Sequence, residues 1–276
     1  MQLEELGSKL SRHSSAPCAT AEIDQNDTVE IVFTSGATAE PKGVRITHRN
    51  LLVNLIPLEQ EIGRYLKYER FVHPIRFLNL LPLSHIFGQL MGVFVPQMLG
   101  GEVFFQESLS PSQIIETVKR ERISVLIAVP RILDTQREKI ERDYEARGKL
   151  ERFQRAILDA RGRHPLKRWC RFRKIHSMFG WKFWAFISGG AALAAGTEEF
   201  WDRLGFAVIQ GYGMTETASL ISVNHPFKLA RGSIGRVMPG QEVQLAADGE
   251  ILVRGENVSP GYWHGAVGAG ATDDGW

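Results

Sequence analysis

Residues 29–33 (VEIVF) alternate between polar and β-branched or aromatic side chains, which predicts a strand. Residues 34–43 (TSGATAEPKG) carry glycine, proline and hydroxyls and predict a loop. Thr47 predicts an N-cap for a helix bearing Leu51, Leu52, Leu55 and Leu58, with Pro57 expected to kink or shorten it. Residues 77–81 predict a second strand, followed by an apolar helix from Ile86. Residues 103–105 predict a short strand. Ser110 and Pro111 then open a helix as N-cap and first residue, with Ile114, Ile115 and Val118 on one face. An apolar strand at 124–129 runs into Pro130 and another helix. The rhythm resumes as strand 183–187, helix 192–204 and strand 206–209.

Continuous apolar strands alternating with helices predict an α/β fold, a mostly parallel sheet covered by helices. From Gly232 the texture changes to short runs at 234–237, 243–245 and 249–253 separated by glycines, which predict the start of a smaller β-subdomain. The expected division is a linker or truncated edge over 1–28, an α/β core over 29–230 and a β-rich part over 231–276. Within the core, residues 136–182 read as a polar helical insert. About a dozen Lys or Arg follow from Arg147 onward, against Glu151 and Asp159. The first reading of the insert is a solvated helical hairpin. The second is a membrane-surface or anionic-ligand patch, with Trp169, Phe172, Phe179, Trp181 and Trp184 as interfacial anchors.

Apolar residues make up 43% and charged residues 23% of the 276, which excludes a disordered or fibrous chain. A net charge of +2 is too mild to point to nucleic acid. Met1 opens no basic-then-apolar signal pattern, and no apolar run approaches the roughly 20 residues of a bilayer span. Cys18 and Cys170 are too few for a disulfide framework or a four-thiolate zinc site, and the simpler expectation is two reduced thiols in the cytoplasm. The polar start and the Gly/Ala-rich stretch before Trp276 raise the expectation of a fragment.

Three glycine-bearing stretches follow predicted strands. In 34–43, hydroxyls, backbone N–H groups and Lys42 suit polyphosphate, although an ordinary Ser/Thr/Gly turn uses the same residues. The order Pro41-Lys42-Gly43 is not that of a Walker loop. In 210–216 (QGYGMTE), two glycines flank Tyr212 and allow close backbone approach, and Glu216 offers the carboxylate oxygen that a phosphate-bound Mg²⁺ takes. The stretch lacks the third glycine of a dinucleotide fingerprint. The third is 188–192 (SGGAA). Ligands in open α/β sheets bind at strand carboxyl ends, so the three are expected to converge on one site.

Residues 34–43 resemble the phosphate-loop signature of the adenylate-forming enzymes, the AMP-forming acyl-CoA synthetases. Residues 211–216 are similar to their second signature and 188–191 to their adenine-side loop. Residues 249–255 through 260–263 resemble their late β-subdomain motif. Residues 81–85 (LPLSH) resemble the segment whose histidine sits by the acyl pocket. The motifs come in the family's order, and the basic stretch before Ser188 resembles the long-chain fatty-acid branch. The chain departs from the pattern at Ala37, where a hydroxyl is usual, and at Ala39, where glycine is usual, which implies a weaker or re-shaped phosphate grip. Residues 274–276 (DGW) match a tripeptide that precedes the family's ribose-binding aspartate, so neither Asp273 nor Asp274 is assigned to ribose. The resemblance places the chain in the large N-terminal domain, without the mobile domain that carries the family's catalytic lysine.

The resemblance implies ATP-dependent activation of a fatty acid, long-chain by its closest branch, to an acyl-adenylate, followed by transfer to coenzyme A. It assigns Thr34, Ser35, Gly36, Thr38 and Lys42 to the β/γ-phosphates, Thr215 to the α-phosphate and Glu216 to Mg²⁺. Gly189, Gly190, Ala191 and Tyr212 frame the adenine and the acyl entrance, and Gly211 and Gly213 also bind ATP. His85 is a gate beside the carboxylate or an ordinary structural histidine. Thr215, Glu216 and Lys42 are the expected catalytic set. Two alternatives stay open: a fatty acyl-AMP ligase that loads a carrier protein, and a non-catalytic ATP- or acyl-binding module. The partners implied are the fatty acid and coenzyme A, without nucleic acid; peripheral association with the inner face of the membrane is the second reading of the basic insert.

Overall fold

The computed structural model describes residues 22–34, 41–64, 73–263 and 275–276. Two antiparallel strands come first, β1 (Thr28–Thr34) and β2 (Lys42–Thr47). Helix α1 (His48–Gly63) follows directly. The Thr47 hydroxyl accepts from the Asn50 N–H at 3.2 Å while the Thr47 N–H donates to Asn50 Oδ1 at 2.9 Å, so two helix-end donors are satisfied reciprocally. Pro57 does not end α1, which continues six residues beyond it. The cost of its missing N–H is met by the apolar face of Leu55, Leu58 and Ile62, packed against the core.

Strand β3 (Arg76–Asn79) leads through a turn into α2, which is built of Ile86–Gln89, a π-helical turn at Leu90–Phe94, and Val95–Met98. Strand β4 (Glu102–Phe105) precedes α3 (Pro111–Arg120). Ser110 sits at the N-cap of α3, yet its side chain makes no capping bond. Strand β5 (Val125–Ala128) runs into α4 (Pro130–Glu145). Three short helices follow, α5 (Leu150–Leu158), α6 (Pro165–Arg171) and α7 (Arg173–Phe179). Then come β6 (Ala185–Ser188), α8 (Ala195–Leu204) and β7 (Ala207–Tyr212). The short strands β8 (Ser222–Val223), β9 (Arg236–Val237), β10 (Gln241–Leu245), β11 (Ile251–Gly255) and β12 (Tyr262–Trp263) complete the chain.

The main sheet has the order β4-β3-β5-β6-β7-β8-β9. Its first five strands are parallel and the last two pair antiparallel. The expected helix-covered, mostly parallel α/β fold is what the chain adopts. Period-two alternation sorts its strand residues to two faces. Leu78, Leu126, Phe186 and Val208 join α3, α4, α5, α7 and α8 in one core. Phe77, Val125, Ile127, Ala185 and Ile209 meet α1 and α2 in another. Segment 231–263 supplies strands to three sheets: β9 to the main sheet, β10 and β11 to each other, and β12 to β2.

Several expectations are corrected. Lys42 and Gly43 begin β2, and Gly211 and Tyr212 end β7, so these positions are strand and not loop. The helix expected from 192 begins at Ala195. The basic stretch is not a hairpin standing in solvent: Phe153, Ile157, Phe172, Ile175 and Phe179 are buried in the same core as the sheet. Phe172 and Phe179 are therefore not interfacial anchors. Phe179 packs on Phe183, Phe186, Trp201 and Phe206 with ring centres 4.9–6.2 Å apart. Trp184 is half-buried and stacks on Phe227, whereas Trp169 and Trp181 are exposed. The arginines hid this apolar face because a charge run dominates any local average of hydropathy.

Candidate active site

Strands β6 and β7 lie side by side with Ser188 opposite Gln210, so the turns at their carboxyl ends are neighbours. A Cβ on Gly189 would stand 3.1 Å from the Gly211 carbonyl oxygen and 2.8 Å from Phe87 Cε1. Any larger residue would have to push the Phe87 ring aside. Gly190 has φ +79°, a left-handed conformation that disfavours other residues. Gly190 and Ala191 are exposed beyond the strand. The Ser188 hydroxyl is buried without a hydrogen-bond partner among the described residues, at the end of β6.

Phe87, in the first turn of α2, was read from sequence only as part of an apolar helix, and it packs against both glycine turns. Asn79, 1% exposed, fixes the approach to that turn: its Oδ1 accepts from the Leu81 N–H at 3.0 Å and its Nδ2 donates to the Gly88 carbonyl at 3.3 Å. His85 occupies the N-cap position of α2, is exposed, and makes no capping bond with its side chain.

After Tyr212 the chain turns sharply. A Cβ on Gly213 would lie 1.9 Å from the Ser219 carbonyl oxygen, so glycine alone lets the two backbones pass. Thr215–Thr217 forms a single 3₁₀ turn. The Thr217 hydroxyl closes it, accepting from the Met214 N–H at 3.2 Å and donating to the Met214 carbonyl at 3.1 Å. Ala218 (φ +50°) and Ser219 (φ +97°) carry strain, which must be held by surrounding contacts. Asn54 of α1, 1% exposed, supplies them: its Nδ2 donates to the Thr217 carbonyl at 3.2 Å and the Ala218 carbonyl at 2.7 Å. Gln241 of β10 in turn donates to Asn54 Oδ1 at 3.1 Å and to the Leu220 carbonyl at 3.0 Å. Asn50 donates to the Glu256 and Val258 carbonyls at 2.7 and 3.1 Å.

This scaffold presents Thr215 and Glu216, both half-buried. The Glu216 carbonyl accepts from the Ser259 N–H at 2.7 Å, and its Oε1 accepts from the Tyr262 hydroxyl at 3.0 Å. Tyr262 is positioned by the pairing of β12 with β2, where Tyr262 stands opposite Val44. Lys42, the exposed first residue of β2 and partner of Thr34 at the end of β1, holds its Nζ 5.3 Å from the centre of the Tyr262 ring. Tyr262 thus stands between the cation and the carboxylate. Burial, and then the Glu216 carboxylate, push its phenol above the usual range, so it stays a hydrogen-bond donor at neutral pH. Tyr262 lies in the 260–263 stretch that resembles a family motif, but its contact with Glu216 was not predicted. Ser35, Gly36 and Thr38 lie outside the described residues, as do Ala37 and Ala39.

Among the described residues no cluster of three or more His, Cys, Asp or Glu can hold a metal ion. The donor set does not fit a resident metal. One carboxylate beside a hydroxyl fits Mg²⁺ that arrives with a polyphosphate, because Mg²⁺ is bound through one or two carboxylates plus substrate oxygens. The glycine turns, which lack a Cβ at points of close approach, fit a ligand laid against backbone.

The open sheet's strand ends bring together two glycine turns and one carboxylate, while Lys42 comes from the separate antiparallel sheet of β1, β2 and β12 and not, as expected, from a third strand end of the same sheet; the combination has the make-up of a nucleotide-binding α/β protein. Residues 2–263 match the family of AMP-binding enzymes, and the chain belongs to that family. It is 27% identical over 281 residues to a long-chain-fatty-acid–CoA ligase of Mycobacterium bovis, an alignment covering 93% of this chain and 44% of the ligase. It is 30% identical over 274 residues to a long-chain-fatty-acid–CoA ligase of Salmonella typhimurium, covering 92% and 41%. Among solved structures it superposes on apo MatB from Rhodopseudomonas palustris with a TM-score of 0.67 at 25% identity, covering 98% of this chain and 48% of that one. The chain spans about half the length of the relatives it matches.

Proposed function

We propose that this chain forms the ATP- and acyl-binding part of an AMP-forming ligase that activates a long-chain fatty acid and passes it to coenzyme A. The observation that carries the reading is the placement of Glu216: at the carboxyl end of β7, tied to Tyr262, beside Thr215, with the glycine turn of β6 against its own strand. A carboxylate oxygen of the acid attacks the α-phosphorus of ATP, an acyl–phosphate bond forms, and the α–β bridging bond breaks to release pyrophosphate. A thiol sulfur then attacks the acyl carbon and AMP departs. The protein's part is positioning and charge stabilisation. Glu216 would hold a phosphate-bound Mg²⁺, which supplies charge neutralisation at the phosphates. Thr215 donates to the α-phosphate, Lys42 faces the outer phosphates together with the 34–43 stretch, and Gly189, Gly190, Gly211 and Tyr212 bound the adenine and the acyl entrance. The long-chain preference is supported by the names of the two ligase relatives.

The test is Glu216→Gln in the full-length protein. Pyrophosphate release with ATP, Mg²⁺ and palmitate is expected to fall by at least about a hundredfold, since the lost group stabilises transferring charge. Circular dichroism should stay unchanged. A wild-type rate would remove Glu216 from the chemistry. Supplying coenzyme A or an acyl carrier protein as acceptor separates the two ligase readings, and absence of pyrophosphate release from the wild type supports the non-catalytic one.

A further inference from the structure

Helix α6 is built inside out. It buries none of its residues. Its hold on the body includes Arg168, whose side chain is 14% exposed and whose Nη1 lies 3.3 Å from Asp202 Oδ1 at the end of α8. Leu166, Trp169 and Cys170 share the side away from Arg168, and one edge of Trp169 also rests on the body, its ring 5.8 Å from that of His176. Leu166 is 69% and Trp169 48% exposed. Helix α5 ends at Leu158, 63% exposed, and the following Asp159 ties α5 to α6 through Arg171 at 3.2 Å. Apolar side chains of this size seldom face water together without a partner.

The charge around them is one-sided. Residues 147–182 hold twelve Lys or Arg and only two acidic residues, Glu151 and Asp159. That stretch carries a net +10 in a chain of net +2, so the remainder is net −8. Arg161, Arg163, Lys167, Arg173 and Lys174 are all exposed around α6. No helix of the described residues is long and apolar enough to cross a membrane.

We propose that α6 and its basic surround form a docking surface for an anionic phospholipid bilayer, with Leu166 and Trp169 entering the headgroup–acyl boundary and the lysines and arginines on the phosphates. Leucine and tryptophan with a flanking cationic rim are the two signals that interfacial binding combines. A nucleic acid or acidic protein would use the charge but gains less from an exposed leucine set among it. The inference rests on exposure and charge and is independent of the adenylation reading.

The experiment is co-sedimentation of the full-length protein with phosphatidylcholine vesicles and with vesicles containing 30% phosphatidylglycerol, about a third of the lipid, as anionic leaflets attract basic segments. Binding is expected only to the anionic vesicles and is expected to weaken with salt. Lys167→Gln with Arg173→Gln and Lys174→Gln should lower the partition coefficient by roughly a hundredfold, at about fivefold per charge. Leu166→Ser with Trp169→Ser should lower it by about tenfold or more at unchanged charge. All five positions are exposed, and thermal melts of both variants check that the fold is kept. Equal binding to neutral and anionic vesicles overturns the proposal, as does undiminished binding by the well-folded variants. So does capture of an acidic protein or single-stranded DNA through these side chains without vesicle binding.

Discussion

Tyr262 illustrates how a residue outside the expected catalytic set can govern it. Its hydroxyl donates to Glu216 while its ring lies under Lys42, so one side chain fixes the direction of the carboxylate and the height of the cation. Tyr262→Phe keeps the ring and removes the donor. A hydrogen bond to a charged group contributes about 1.5–3 kcal/mol, so kcat/KM for pyrophosphate release should fall roughly ten- to a hundredfold. Tyr262→Leu should fall further because the contact with Lys42 is lost as well. Steady-state kinetics of the two variants measure both effects, and an unchanged Tyr262→Phe enzyme would mean that Glu216 is oriented without it. The carboxylate, hydroxyl and glycines at 211–216 were legible in the sequence because each is unusual directly after an apolar strand. Tyr262 was not, because an aromatic in a short strand is most often a packing residue, and its partner is remote in the chain.

At the scale of elements, α1 acts as a strut. Its N-terminal cap was legible from Thr47, but its buried amides were not. Asn50 and Asn54 interrupt an apolar helix face and carry no periodic signal, and their partners stand 163 to 208 residues away. Asn54 is the bond between the strut and the strained turn that carries Thr215 and Glu216. Asn54→Ala leaves the Thr217 and Ala218 carbonyls and the Gln241 amide short of partners in a buried place. Urea denaturation should show a loss of about 2–4 kcal/mol, the sum of such unmade bonds. Asn54→Asp should do no better, since a carboxylate cannot donate to either carbonyl. A loss below about 0.5 kcal/mol would show that the turn holds its own shape. The same logic explains the misread basic stretch: the tertiary partners of Phe153, Phe172 and Phe179 are what make them core, and no local pattern names a partner.

For the molecule as a whole, a histidine in the aromatic core ties stability to pH. His176 is 5% exposed, its Nε2 lies 2.8 Å from the Leu204 carbonyl, and its ring lies tilted against Phe206 with centres 4.3 Å apart. Burial lowers its pKa below the ordinary value of 6.5, partly opposed by that hydrogen bond. The folded state therefore holds the neutral ring where the unfolded chain is already protonated. Its contribution to stability is complete above the unfolded pKa and is lost progressively as pH falls below about 6.5. The melting temperature of wild type should drop more between pH 7.5 and 5.5, roughly the range that spans the histidine midpoint, than that of His176→Gln. Equal slopes would mean that other groups set the acid sensitivity.

The pairing of β2 with β12, with Ser259 donating to the Arg45 carbonyl 214 residues away, also has a consequence for the order of assembly. The parallel sheet can gather strand by strand as the polypeptide leaves the ribosome, because each new strand lies beside or near the previous one. The pocket cannot. Lys42 is made before Glu216 and Glu216 before Tyr262, and closing a loop of that size costs entropy that only the contacts between them return. A nascent chain halted before residue 262 has the main parallel sheet and no Tyr262 to brace Glu216, so that brace forms only after the sheet's strands are made.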